Sequence, residues 1–442
     1  MQFLIHCLPV FFCLFTVLSL HAAEVQYKLL RDWSSNKPLA YSAIKGDTRK
    51  VVIPTRFRAE RNEMRGVWVS TYSNLDFPRN DTPYAFRKTY RDMVRKIRSA
   101  GFNAVFFQIR PSSDAFYPSA IHPYSRFIRG RESSGFEGMD MLQFMIEEAR
   151  RNGLEFHAWL NPYRIVGVTP LSKEKYLGTL SARNFARMNP ECVLSVPVQG
   201  GNTLLLDPGN PLVRLHLIRT VQEIVRKYTP DSIVFDDYFY PYGYDGKQDS
   251  GSYRKYCRNP RKQSIHAWRR ENVNMLIRDT ARMIRENNRT YRKKIRFGVS
   301  PFGIWANSKN AKGGSPTLGM ESYYANYCDT VQWIRQGYVD YLIPQLYWDF
   351  DHPKAPYACL ADWWSDQLSG SRVKLYIGLA VYREMKVVKS SELLHKLLYN
   401  QRRSEIGGEV FFSWRWFLQG NDRIRRQALE QVVKGCWNGV LP

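Results

Sequence analysis

Two adjacent carboxylates, Asp236 and Asp237, follow directly on the apolar run Ile233-Val234-Phe235. One of the two is expected to act as nucleophile or base in cleavage of a glycosidic bond. Side chains alternate along a strand, so the two point differently. One faces a substrate while the other orients neighbouring groups, and the sequence leaves open which is which. The bland reading is a structural carboxylate satisfied by a barrel arginine or by backbone amides. Hydrolysis of a glycosidic bond normally takes a second carboxylate across the bond. Asp349 leads for that role, because Tyr347, Trp348 and Phe350 adjoin it in the chain and would raise its pKa. Asp114 and Glu321 are the other candidates. Asp114 reads equally as a cap within its own loop, and Glu321 as a helix-start charge.

Other polar and aromatic side chains fall near the same strand ends. Arg110, Asn161, Tyr163, Gln345 and Trp348 are expected to hold a glycan, with His157, Tyr238, Tyr347 and Trp414 close by. Amides and arginine bond sugar hydroxyls, and rings stack on the apolar faces of sugars. The chain carries 12 Trp and 27 Tyr, enough to supply both a core and a glycan groove. His157 reads equally as a satisfied core histidine, and most of the strand holding Trp414 as core.

Eight short β-rich runs position these residues, at 66–71, 104–110, 155–160, 232–240, 296–302, 341–348, 374–382 and 409–416. Helical patterns fall between and after them, at 82–100, 139–152, 210–228, 264–289, 323–336, 358–369, 390–402 and 422–434. Parallel strands need a crossover, so this alternation predicts a parallel sheet, and eight units predict a closed (β/α)8 TIM barrel. An open doubly wound sheet is the competing architecture, but no glycine-rich phosphate turn follows an early strand. Helix-to-strand links are short, whereas strand-to-helix links at 111–138, 161–209, 241–263 and 303–322 are long. In a barrel those long links lie on the catalytic face.

Residues 1–23 hold no Lys, Arg, Asp or Glu and centre on an apolar run, which reads as a secretory signal peptide. An uncleaved membrane anchor is the other reading. Residues 24–63 form an N-terminal extension, 64–435 the barrel and 436–442 a tail. The formal net charge of +25 favours an anionic glycan, wall or lipid surface as partner. Nucleic acid is disfavoured by the export signal and by the lack of a reader motif. Past residue 23 the cysteines are Cys192, Cys257, Cys328, Cys359 and Cys436, without a C-x-x-C, so neither a disulfide framework nor a zinc site is expected. No cofactor is required.

Several stretches, taken together, carry a resemblance. They are Glu63-Met64-Arg65-Gly66-Val67-Trp68-Val69, Gln108-Ile109-Arg110-Pro111 through Asp114-Ala115, and His157-Ala158-Trp159-Leu160-Asn161-Pro162-Tyr163-Arg164. Further on come Phe235-Asp236-Asp237-Tyr238-Phe239-Tyr240-Pro241, Gly298-Val299-Ser300-Pro301-Phe302-Gly303 and Pro344-Gln345-Leu346-Tyr347-Trp348. In this order they resemble the bacterial glycosyl-hydrolase-like family 10. The resemblance implies a barrel fold, an exported enzyme, and action on bacterial cell-wall glycan (peptidoglycan). By analogy with related barrels, it also favours Asp236 or Asp237 paired with Asp349. Two other functions compete. A metal-dependent deacetylase needs closely spaced histidines, whereas His122, His157, His216, His266, His352 and His395 are widely spread. A non-catalytic glycan- or wall-binding barrel would keep the rings and basic surface without needing Asp236-Asp237 at the mouth.

Overall fold

β-branched and aromatic residues dominate eight runs that become parallel strands, because their side chains pack well on a pleated surface. The strands are β1 (Met64–Val69), β2 (Ala104–Arg110), β3 (Glu155–Leu160), β4 (Ser232–Phe235), β5 (Arg296–Val299), β6 (Tyr341–Leu342), β7 (Lys374–Ala380) and β8 (Ile406–Phe412). Each pairs in parallel with its neighbours, and β8 returns to β1 with Val410 opposite Gly66, closing the barrel. This computed structural model describes residues 25–418 except 33, 58–61, 133–134 and 383–390, together with 432, 436 and 437. The expected signal segment and most of the helix expected at 422–434 lie outside the described residues.

The helices between strands are α1 (Pro83–Ser99), α2 (Met141–Arg151), α3 (Pro211–Lys227), α4 (Ile265–Tyr291), α5 (Thr330–Arg335), α6 (Tyr357–Leu368) and α7 (Glu392–Asn400). Their starts follow the capping signals in the chain. Thr82, Asn210 and Ser264 each accept a hydrogen bond from a first-turn amide, with proline at the start of α1 and α3. Residues 24–57 contribute a small antiparallel pair, Tyr27–Leu29 with Val52–Pro54. It sits outside the barrel, where Tyr41 bonds Asp362 of α6 and Arg402 bonds the Val52 carbonyl.

Two expectations about the elements need correction. The runs at 232–240, 296–302 and 341–348 end as continuous strands at residues 235, 299 and 342, with only the isolated bridges Phe302–Gln345 and Gln345–Gly378 beyond the last two. Pro301 and Pro344 have no N–H to offer a ladder, and after Phe235 the Asp236 side chain takes the Tyr238 amide instead. The long link 161–209 is also more than a loop. It folds into a three-stranded antiparallel sheet of Arg164–Thr169, Gly201–Leu206 and Val193–Val198. The two-residue turn Gln199-Gly200 between the last pair was a legible hairpin signal.

Inside the barrel, Met64, Trp68, Ala104, Phe106, Trp159, Val234, Tyr341, Ile343, Tyr376 and Val410 pack together. Glycines make room for the rings: a Cβ on Gly66 would stand 2.5 Å from the Phe106 ring, and one on Gly298 would fall inside the Tyr341 ring. His157 belongs to this layer. It is fully buried, stacks on Phe106 and bonds Tyr341 at 2.9 Å and Glu155 at 3.0 Å. The expectation that it contacts a glycan is therefore corrected; it is a satisfied core histidine.

The packing makes a testable contrast. Gly298→Ala should lose about 1–3 kcal/mol of unfolding free energy through overpacking. Gly251→Ala, in the helix Ser250–Tyr256 with nothing near its would-be Cβ, should gain up to about 1 kcal/mol. Urea unfolding midpoints check both, and equal midpoints would refute this account of the interior.

Candidate active site

The packed interior ends upward in a cavity of about 530 Å³ at the C-terminal ends of the strands. Rings wall it: Trp68, Tyr72, Trp159, Tyr238, Tyr242, Phe302, Tyr347, Trp348, Tyr382 and Phe412. Asp236 and Asp237 reach it from the end of β4. Val234 points into the barrel, so alternation carries Asp236 inward above it, beside Trp159. Asp237 turns toward the loops after β4 and β6, where Tyr242 and Gln345 meet it.

A directed chain of hydrogen bonds sets the state of Asp236. The backbone amides of Thr71 and Tyr72 donate to Gln108 Oε1 at 2.9 and 2.8 Å. A backbone N–H can only donate, so the Gln108 amide cannot be turned around. Its Nε2 then donates to Asn161 Oδ1 at 2.5 Å, and Asn161 Nδ2 donates to Asp236 Oδ2. Trp159 Nε1 gives the same oxygen a second bond at 3.3 Å, and the Tyr238 amide bonds Oδ1 at 3.3 Å. Every one of these partners is donor-only toward Asp236. Asp237 accepts from the Tyr242 hydroxyl and is also bonded by the Gln345 amide, and of these partners the hydroxyl alone can turn to accept a proton.

Both carboxyls are about 95% buried, and burial is the first cause that raises their pKa values. Arg164 opposes that rise at both, and each carboxyl is further affected by its neighbour's charge or hydrogen bonds. Two such groups share protons as a unit. Asp236 is pushed up to about 7, so near neutral pH the pair shares a proton, and Tyr242 is the hydrogen-bonded partner that can turn to accept it from Asp237. Arg164 is the one cation in the described lining. It lies over Tyr72 and Tyr238 at 4.3 and 5.2 Å, its Nε bonds the Pro111 carbonyl, and its buried Nη2 has no protein partner.

Of the residues expected at the site, Asp236, Asp237, Tyr238, Gln345, Tyr347 and Trp348 line the cavity, with Asn161 directly behind Asp236. The others are placed elsewhere. The β2–β3 register shifts between Gln108 and Arg110, so Arg110 leaves the mouth and holds the Asn161 and Pro162 carbonyls. Asp114 is buried and accepts the Ser112 amide, as a loop cap does. Tyr163 and Trp414 are buried in the strand–helix core, Trp414 stacked on Phe417. Asp349 pairs with Lys396 of α7 at 3.3 Å, outside the lining, because the chain turns outward after Trp348. Glu321 organises its own loop through Asn307 and Asn310. Among the described residues, the cavity lining holds no carboxylate besides the adjacent pair. His122 and His216, distant in sequence, meet edge-on at 5.0 Å, away from the cavity.

Trp68, Tyr72, Gln108, Arg164 and Tyr242 were missed. Gln108 was legible, since alternation from the inward Phe106 puts it on the same face. Arg164 stood in the same motif as Asn161. Tyr72 and Tyr242 lie in loops, where no periodicity marks them.

Residues 63–392 match the family described as glycosyl hydrolase-like 10. The chain belongs to that family. It is 36% identical to the glycosyl hydrolase YngK of Bacillus subtilis over 362 residues, 79% of this chain and 68% of that one. It is 34% identical to the glycosyl hydrolase DigH of Escherichia coli K12 over 408 residues, 86% of this chain and 88% of that one. The PgaB (BpsB) glycoside hydrolase domain from Bordetella bronchiseptica superposes with a TM-score of 0.50, covering 83% of this chain and 98% of the domain at 11% identity. At that identity the likeness concerns the barrel alone. Membership in the glycosyl hydrolase-like 10 family makes glycan hydrolysis the chemistry to weigh against this cavity.

The retained proton has a stability signature. Folded Asp237 keeps its proton where the unfolded group, near 3.8, has lost it, so stability falls as pH rises through that window. Asn carries no such loss and preserves an acceptor for Tyr242. Asp237→Asn should therefore gain on the wild type as the pH rises above about 4. Thermal unfolding across that range checks it, and a constant difference would place Asp237 among ordinary ionised carboxylates.

Proposed function

We propose that this chain is an exported hydrolase that cleaves glycosidic bonds in a bacterial cell-wall glycan, using Asp236 and Asp237 as its acid–base pair. One observation carries the reading: two buried, adjacent carboxyls, both with raised pKa values, lie at the floor of a ring-walled cavity. Glycoside cleavage needs a proton for the departing oxygen and a negative charge for the oxocarbenium-like carbon left behind. Asp237 supplies the first. Asp236, whose donors favour its charged form, supplies the second. Trp348, Tyr347 and Tyr238 offer faces on which sugar rings stack.

The cell-wall assignment follows from the family resemblance and is supported by charge and by the N-terminal segment. A formal charge of +25 draws the chain toward an anionic polymer, and Arg164 offers a free donor inside the cavity to an acidic sugar substituent. The uncharged apolar segment at residues 1–23 supports export to where such a polymer lies.

Reducing-end release from a panel of glycans tests the reading. The panel comprises peptidoglycan strands with and without stem peptides, and acidic polysaccharides. The wild type should release ends from the wall strands, and Asp236→Asn and Asp237→Asn should each lower kcat by roughly 10²–10⁴ while retaining a folded circular dichroism spectrum. Tight binding without release from any glycan would overturn hydrolysis and leave a binding protein.

A further inference from the structure

The two carboxyls stand on consecutive residues, whose Cα atoms lie about 3.8 Å apart, and rise from one strand end. They approach a bound sugar from one wall of the cavity. A carboxylate nucleophile must instead attack the anomeric carbon from the face opposite the leaving oxygen, with the acid on the other side of the bond. Asp236 is further unsuited to attack. Trp159 and Asn161 take both lone-pair positions of Oδ2, and the Tyr238 amide takes one on Oδ1. Each donor withdraws nucleophilicity and anchors the group toward the barrel axis. One acceptor position remains on Oδ1, enough for a single N–H.

We propose that the nucleophile is the substrate's own 2-acetamido group, with Asp236 accepting its N–H and Asp237 serving as acid and then base. This rests on the reading of the cavity as a glycosidase site, and it makes the substrate a 2-acetamido sugar polymer. In the first step Asp237 gives its proton to the glycosidic oxygen and the C1–O bond breaks. The acetamido oxygen bonds C1, forming an oxazolinium ion whose N–H is held by the Asp236 charge. In the second step Asp237, now ionised, takes a proton from water as the water oxygen bonds C1. The C1–O bond to the acetamido group breaks, and the amide is restored with net retention at C1. Gln108 and Asn161 act as positioning residues, since their amides turn Asp236 and donate toward its charged form.

The test uses the full chain and peptidoglycan strands stripped of N-acetyl groups, then re-acylated with acetyl or trifluoroacetyl groups. The two acyl groups are close in size, but fluorine starves the attacking oxygen of electrons. Re-acetylated strands should be cleaved at the rate of native ones. Trifluoroacetylated strands should lose at least about tenfold in kcat with KM nearly unchanged, the mark of an interaction made in the transition state. Free-amine strands should not be cleaved. A bicyclic thiazoline of N-acetylglucosamine, which mimics the oxazolinium ion, should inhibit competitively. Cleavage indifferent to the acyl group, or a glycosyl ester on Asp236 seen by mass spectrometry after acid quenching, would overturn the proposal while leaving hydrolysis standing. No cleavage of native strands would instead remove the glycosidase reading, and this proposal with it.

Discussion

A closed eight-stranded barrel has a nearly fixed interior volume, and filling it with large rings determines what lies above. Gly66 and Gly298 give up their side chains so that Phe106 and Tyr341 can enter. Trp68 and Trp159 then form the top of the stack, their rings edge to face at 4.9 Å. The cavity floor is therefore the upper surface of a packed core, held as rigidly as the core itself. Trp159 belongs to both, filling the interior with its ring and donating its indole N–H to Asp236. A side chain fixed by packing places that donor without a further loss of conformational freedom.

On that floor, the direction of hydrogen bonds matters more than their number. Two chemically equal aspartates become different because one meets only amide and indole N–H donors, while the other meets a hydroxyl beside the Gln345 amide. The direction originates in the backbone at Thr71 and Tyr72, where β1 gives way to its loop, and passes through two side-chain amides on β2 and β3. Asymmetry at β4 is thus set by three neighbouring strands. Burial alone would raise both groups and distinguish neither. The Tyr242 hydroxyl gives Asp237 a partner able to turn and accept a retained proton, which Asp236 lacks.

Much of the barrel was legible because its elements obey strong local rules. Capped amphipathic helices at 83–99, 211–227 and 265–291 fall within two residues of the runs expected from periodicity and capping. The failures are instructive. Arg110 should follow Gln108 inward by simple alternation, but a register shift intervenes, and sequence does not announce such a shift. Asp349 was chosen for its aromatic neighbours in the chain, yet proximity in sequence says nothing about which way a loop turns after Trp348. Lys396, 47 residues further on, claims it. The pair at 236–237 was visible because an apolar strand running into two carboxylates is a local pattern. The donor shell around it is a long-range one, contributed by residues up to 77 positions away.

The same division separates what is constrained in this site from what is free to vary. Gln108, Trp159, Asn161 and Asp236 are tied to one another and to the barrel interior, so altering one leaves a buried partner unsatisfied. The upper wall is tied differently. Tyr72, Tyr238, Tyr242, Phe302, Trp348 and Tyr382 come from the loops or ends after five different strands; Tyr238, Tyr242, Phe302 and Trp348 meet edge to face in a row, Tyr72 meets Phe127, and Tyr382 meets Tyr347 and Phe412. Ring-on-ring contacts tolerate exchange better than a directed hydrogen-bond chain, because dispersion has little directional demand. Substitutions that retune sugar recognition are therefore expected in the wall, while the floor keeps the chemistry. The long strand-to-helix links are thus a consequence of the mechanism's needs as well as of barrel topology. They bring varied rings over a floor that cannot itself vary without unbalancing its charges.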